Sequence, residues 1–209
     1  MIFLQELLSS IAAGFCIGLG GAVFLLQTDK LVGVLLFCVG LYTICEMQFH
    51  LFTGRVCYAL EQPLWSWFRF PLIWVGNWLG AGLTAGLLNL TRVGPAARQA
   101  ALALVAGKNG DTLLSLFILG FFCNVFVFIA VEGYENFSLA QGKYLAIFVG
   151  ITAFVMSGYE HSVADMFYYF MAGQMDQESL VRLLVITGGN VCGGLTAWGA
   201  RQTARKTAV

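Results

Sequence analysis

The apolar positions of this chain fall into long runs without charge. Residues 7–28, 70–91, 112–131 and 183–200 contain no Asp, Glu, Lys or Arg. Each run is close to the about 20 residues that an α-helix needs to cross the hydrocarbon core of a bilayer. The pattern predicts four membrane-spanning helices, and therefore an all-α integral membrane protein.

Two further apolar stretches, Leu31 to Leu60 and Tyr144 to Gln174, contain charges in their middle. The first holds Glu46 and Arg55, the second holds Glu160 and Asp165, and each has a nearby glycine, Gly54 or Gly158. Charges and freed backbone groups are tolerated at membrane depth only where they share a polar cavity. Each stretch is therefore predicted to break into half-helices.

A short motif occurs in both halves of the chain. GNWLGAGLTAG begins at Gly76 and GNVCGGLTAWG begins at Gly189, 113 positions later. The second broken stretch also begins 113 positions after the first, which indicates a duplicated three-span unit, about 7–91 and about 112–200. Copies with an odd number of crossings insert in opposite orientations, so the broken helices should meet near the membrane midplane. The motif also suits close helix packing.

Composition supports this assignment and excludes other classes. The 209 residues are 59% hydrophobic and 11% charged, with zero formal net charge, against about 45–50% and about 25% in soluble domains. No basic stripe is available for nucleic acid. The six cysteines include no CxxC pair and are interpreted as packing residues. We expect one membrane domain over 1–209, with no cofactor and no metal.

The orientation prediction depends on the C-terminal tail. Arg201, Arg205 and Lys206 lie there, and the positive-inside rule places them in the cytoplasm. Six crossings then put the N-terminus on the same side of the cell membrane.

Three segments resemble the signature segments of the formate/nitrite transporter family. They are GFFCNVFVFIA at 120–130, SGYEHSVADM at 157–166 and LFTG at 51–54. The resemblance implies an aquaporin-like protomer of six transmembrane helices in two inverted repeats. It also implies a homopentamer with one pore in each protomer. Such proteins are not enzymes and pass small monovalent weak-acid anions such as formate, nitrite or hydrosulfide.

The resemblance also implies roles for individual residues. The outer constriction would be Phe37 and Phe154, and the inner constriction would be Leu41, Leu51 and Phe52. The centre of the pore would be His161 and Thr53, and Lys108 would lie in a vestibule. The supporting residues would be Glu160, Asp165, Asn124 and Asn190. The chain departs from the family pattern at four positions. Phe49 and His50 precede the LFTG segment, Arg55 follows it, and Asp165 stands where asparagine is common.

Physical reasoning suggests how such a pore works. Moving an ion into a low-dielectric slit costs several kcal/mol even after relaxation, so a neutral acid passes apolar rings far more readily than its anion. His161 is the candidate proton donor because imidazole titrates near neutral pH. We therefore expect formate to cross together with a proton, with Thr53 as a hydrogen-bonding partner.

Two other functions and two finer roles fit the same residues. A neutral-solute pore would need no titratable centre, and a metal or enzyme site would draw on Glu160, His161, Asp165 and His50. Asp165 follows His161 by four positions, which on one helix face would let its carboxylate favour the imidazolium. Glu160 is expected to accept backbone N–H bonds at the helix break.

Overall fold

The computed structural model describes the backbone of residues 2–207 and the side chains of residues 3–206, and over this range the chain is helical without a β-strand. The α-helices are α1 (Ile2–Leu25), α2 (Lys30–Met47), α3 (Phe52–Val56), α4 (Arg69–Asn89), α5 (Gly94–Gly110), α6 (Leu113–Asn136), α7 (Ala140–Met156), α8 (Ser162–Ala172) and α9 (Gln177–Thr207). The all-α fold class is confirmed.

Five of these helices, α1, α2, α4, α6 and α9, are long and apolar enough to cross a membrane, within the part of the chain that the structure describes. The sixth apolar helix, α7, is shorter. Each of the four uncharged runs lies largely in one long continuous helix, namely α1, α4, α6 or α9. The prediction of a multi-pass membrane protein is consistent with these helices.

Both charged apolar stretches are interrupted by a break in the helix. The helix α7 ends at Met156 and is followed by Gly158, whose φ of 71° is suited to a residue without a side chain. The helix α2 ends at Met47 and is followed by Gln48, with φ 56°, and Gly54 lies inside α3. The first break therefore lies between Met47 and Phe52, on the N-terminal side of Gly54. The N–H of Gln48 donates to carbonyl oxygens of the last helical turn and so closes α2.

Glycines of the repeated motif bring helices into close contact, α4 against α1 and α9 against α6. A Cβ on Gly80 would lie 2.0 Å from the carbonyl oxygen of Ile11, and a Cβ on Gly193 would lie 2.0 Å from that of Phe121. Neither position has room for a side chain, because the obstacle is backbone. The motif therefore sets the distance between these helices.

We expect Gly80→Ala to lower the stability of the fold by at least about 1–3 kcal/mol, because α4 and α1 must move apart. Gly86→Ala on the same helix is the matched control, since nothing lies within 4 Å of a Cβ there. The control should be neutral or slightly stabilising, because alanine favours helix. Melting temperatures of both variants in detergent test this, and equal values would contradict the packing argument.

Candidate functional site

The two helix breaks meet in the interior of the molecule. Thr53 lies on α3, just after the first break, and His161 precedes α8, just after the second. Thr53 Oγ1 and His161 Nε2 are 2.8 Å apart. The two side chains are 0% and 4% exposed. Through this pair, polar side chains from the two halves of the chain contact each other in the buried centre of the molecule.

Both ring nitrogens of His161 have partners. Nδ1 accepts the backbone N–H of Ala164 at 3.1 Å, which makes His161 the N-cap of α8. Because Nδ1 uses its lone pair in this bond, the neutral ring carries its proton on Nε2 and donates it to Thr53. The ring also stacks on Phe154, with centroids 5.7 Å apart. The ring is thus held as one neutral tautomer.

An asparagine supports the first break from α4. Asn77 Oδ1 accepts the N–H of Phe52 at 2.8 Å, and its Nδ2 donates to the carbonyl oxygens of Ser10 and His50 at 2.7 and 2.9 Å. The amide therefore satisfies backbone groups on both sides of the break and attaches them to α1. Asn77 is itself fully buried.

Asn190 does the same at the second break from α9. Its Oδ1 accepts the N–H of Ser162 at 3.0 Å, and its Nδ2 donates to the carbonyl oxygens of Gly120 and Glu160 at 2.8 and 2.9 Å. The bonded partners are 110 positions apart in the two halves, whereas the asparagines are 113 apart. The single spacing of 113 that the sequence suggested therefore holds between α4 and α9. It does not hold between the broken segments α2–α3 and α7–α8, whose corresponding residues are 110 positions apart.

A third buried asparagine holds α3 from α6. Asn124 Nδ2 donates to the carbonyl oxygen of Thr53 at 3.1 Å and lies 3.5 Å from Cys57 Sγ. The residue that approaches His161 is thus fixed at its backbone as well as at its hydroxyl.

Lys108 reaches the second break from α5 and is paired twice. Its Nζ contacts Glu160 Oε2 and lies 2.8 Å from Asp165 Oδ1, and all three side chains are largely buried. Two predictions are wrong for this reason. Asp165 pairs with Lys108 and not with His161, whose nitrogens are already occupied. Glu160 also binds Lys108, and Asn190 rather than Glu160 satisfies the backbone at the break.

Two cavities approach the centre and share no lining residue. The first, of about 220 Å³, is called the lysine cavity, and its lining includes Phe37, Phe154, His161, Lys108, Glu160 and Asp165. The second, of about 470 Å³, is called the arginine cavity, and its lining includes Leu41, Leu51, His50, Arg55, Arg69 and Glu6. The outer and inner constriction candidates thus border different cavities, and Phe52 is buried without bordering either.

The arginine cavity contains an ion pair that sequence reasoning missed. Arg69 Nε donates to both carboxylate oxygens of Glu6 at 2.8 Å, and His50 Nδ1 lies 3.6 Å from Glu6 Oε1. Arg55 also borders this cavity, and it has no carboxylate within 4 Å among the described residues. Only folding brings Glu6 to Arg69, since 63 positions separate them in the sequence.

The metal-site alternative does not match this arrangement. His50 borders the arginine cavity, whereas Glu160, His161 and Asp165 border the lysine cavity. Within the described range, no three or more His, Cys, Asp or Glu side chains are placed to hold a metal ion.

Known proteins resemble this chain in sequence. The family profile described as formate/nitrite transporter matches residues 2–202. The formate channel FocA of Haemophilus influenzae is 29% identical over 186 residues, covering 77% of this chain and 63% of FocA. The transporter YrhG of Bacillus subtilis is 30% identical over 181 residues, covering 79% of this chain and 68% of YrhG. The match to FocA spans less than two thirds of its length.

Solved structures share the fold. A pentameric formate channel with formate bound superposes with a TM-score of 0.84 at 22% identity, covering 99% of this chain and 98% of that one. An ion channel of the FNT family superposes with a TM-score of 0.83 at 27% identity, covering 97% and 90%. These relatives are channels and transporters and not enzymes, and this chain belongs to the formate/nitrite transporter family.

Proposed function

We propose that this protein is a membrane channel for small monovalent weak-acid anions, with formate as its main substrate. The observation that most directly supports this proposal is the pair of cavities separated by the buried Thr53–His161 contact. Phe37 and Phe154 form the apolar constriction on one side of this pair, and Leu41 and Leu51 form the other. The family membership and the name of FocA support the substrate class.

The central pair favours a neutral acid over a naked anion. The His161 Nε2–H and the Thr53 hydroxyl are donors, but neither carries a positive charge in the arrangement described above. An anion would lose its hydration between two apolar constrictions without a counter-charge, which costs several kcal/mol. Formate therefore crosses together with a proton, as formic acid that hydrogen-bonds to the two side chains.

The architecture follows the same proposal. The helices α1, α2–α3 and α4 form one repeat, and α6, α7–α8 and α9 form its inverted copy, in a single aquaporin-like domain of six crossings. The matching bonds of Asn77 and Asn190 support this pairing. Five copies assemble in the cell membrane, with both termini and the arginine cavity facing the cytoplasm.

Anion flux into proteoliposomes containing a pH-sensitive dye tests the function. Wild type should carry formate and acidify the lumen. Thr53→Val should reduce formate flux by about tenfold or more, because a hydrogen-bonding partner at the narrowest point is lost. Thr53→Ser is the matched control, since it keeps the hydroxyl, and it should retain most of the flux.

His161→Asn distinguishes the two kinds of pore. We expect it to lower formate flux by about tenfold or more, because the stacked ring and its Nε2–H donor disappear. A neutral-solute pore would keep its flux in this variant. Undiminished flux in both His161→Asn and Thr53→Val would overturn the proposed function.

A further inference from the structure

The cluster of Lys108, Glu160 and Asp165 has unequal charges. One ammonium faces two carboxylates, so the cluster has a net charge of −1 when all three groups are ionised. The residues Glu160 and Asp165 are 6% and 1% exposed. A net charge that is buried this deeply is unfavourable unless another cation or a proton neutralises it.

One oxygen of the cluster has no partner. Asp165 Oδ1 pairs with Lys108, but Asp165 Oδ2 is buried without a hydrogen-bond partner. Both carboxyl groups line the lysine cavity beside His161. A proton bound to Oδ2 removes the excess charge and turns the unpaired acceptor into a donor.

Within the described residues, no cation besides Lys108 forms an ion pair with Glu160 or Asp165. Lys30, at the rim of the cavity, donates to the carbonyl oxygen of Met156 at 3.4 Å, and Arg182 donates to the carbonyl oxygens of Lys108 and Asp111. The Tyr168 ring lies 5.9 Å from Lys108 Nζ, and Tyr159 also lines the lysine cavity. His161 is held neutral by Ala164 and Thr53.

We propose that Glu160 and Asp165 together hold one exchangeable proton above Lys108 and deliver it to a weak-acid anion in the lysine cavity. The O–H bond of the carboxyl breaks, and a new O–H bond forms on the carboxylate of the substrate. The neutral acid then enters the constriction, and a proton from the solution that the cavity opens to returns to the pair. This inference rests on the proposed channel function. It assigns the proton to the carboxyl pair, whereas His161 remains a hydrogen-bond donor.

Two single substitutions test the carboxyl pair against a role for Lys108 in attracting anions. Asp165→Asn and Glu160→Gln each leave one carboxylate and one ammonium, a neutral cluster without an exchangeable proton. Both variants should lose about tenfold or more of formate flux above neutral pH and keep wild-type flux in acid, where solution supplies protonated substrate. Glu178→Gln, which removes an exposed carboxylate from the first turn of α9, should match wild type at every pH.

The opposite result has a clear meaning. If Lys108 acted by attracting anions, each single substitution would strengthen its field and raise the flux above neutral pH. Unchanged or increased flux in both variants would overturn the inference. Flux lost in Asp165→Asn alone would also overturn it, because removal of either carboxyl group should be enough to abolish the shared proton.

Infrared spectroscopy of the purified protein provides a readout that does not depend on transport. Wild type should show the carbonyl band of a buried protonated carboxyl group at neutral pH, and both single variants should lack it. A wild-type protein without this band would rule out the shared proton. If wild type showed the band but carried no formate, the proposed function would fail while the protonated cluster stood.

Discussion

Replacing Lys108 with methionine should destabilise the protein by about 3–5 kcal/mol, because it removes the ammonium that pairs with the buried carboxyl groups of Glu160 and Asp165. Methionine keeps most of the apolar length of the side chain, so the loss reports the charge. The melting temperature of the detergent-solubilised protein should fall markedly. The control is Lys143→Met, which removes a lysine that forms no ion pair within the described residues.

The charge argument also predicts a rescue. In the Lys108→Met background, adding Glu160→Gln and Asp165→Asn removes both carboxyl groups that have lost their cation. The triple variant should recover most of the lost stability, because the buried cluster is then neutral. A triple variant no more stable than Lys108→Met would show that the lysine acts through packing on α8 rather than through its charge.

The second large effect is expected at Asn190. Replacement with alanine removes three hydrogen bonds and leaves the N–H of Ser162 and the carbonyl oxygens of Gly120 and Glu160 without this partner. An unsatisfied buried polar group costs about 1–3 kcal/mol, so a total loss of at least about 3 kcal/mol is expected. Thermal unfolding measures it, and formate flux should fall with it because His161 is adjacent to the released backbone.

Matched substitutions separate this effect from a general loss of an amide. Asn77→Ala should be about as harmful, since Asn77 makes the corresponding three bonds at the first break. Asn136→Ala should have little effect, because Asn136 is exposed and its amide bonds to Glu132 on the same helix. Similar melting temperatures for Asn190→Ala and Asn136→Ala would refute the role of Asn190 in holding the backbone at the second break.

Much of the fold could be predicted from the hydrophobic pattern. Long uncharged runs leave few choices at membrane thickness, so α1, α4, α6 and α9 followed from the sequence. The position of the first break did not follow. Gln48 adopts a left-handed conformation that a glycine would favour, and the nearby Gly54 is helical instead. The residues after Gln48 are held by tertiary bonds, from the N–H of His50 to Ser9 and from the N–H of Phe52 to Asn77, which the local sequence does not display.

The candidate site was predictable in its membership but less so in its pairings. The family resemblance identified Thr53, His161, Lys108 and Asp165 as residues of one site. The spacing of four between His161 and Asp165 suggested a contact, but it applies only when both residues lie on the same helix. α8 begins at Ser162, so His161 bends away as its cap. The partner of Asp165 comes from α5 instead, and no periodicity links residues that are 57 positions apart.

The capping role of His161 has a mechanical consequence. A second proton on its ring would occupy Nδ1, the atom that holds the N–H of Ala164, and would release the first turn of α8. Strong acidification of the centre would therefore loosen a helix end as well as add a charge. Because Asp165 also lies in that first turn, the same event would pull the carboxyl away from the ammonium of Lys108. Protonation of the His161 ring would in this way displace the first turn of α8, which lines the lysine cavity.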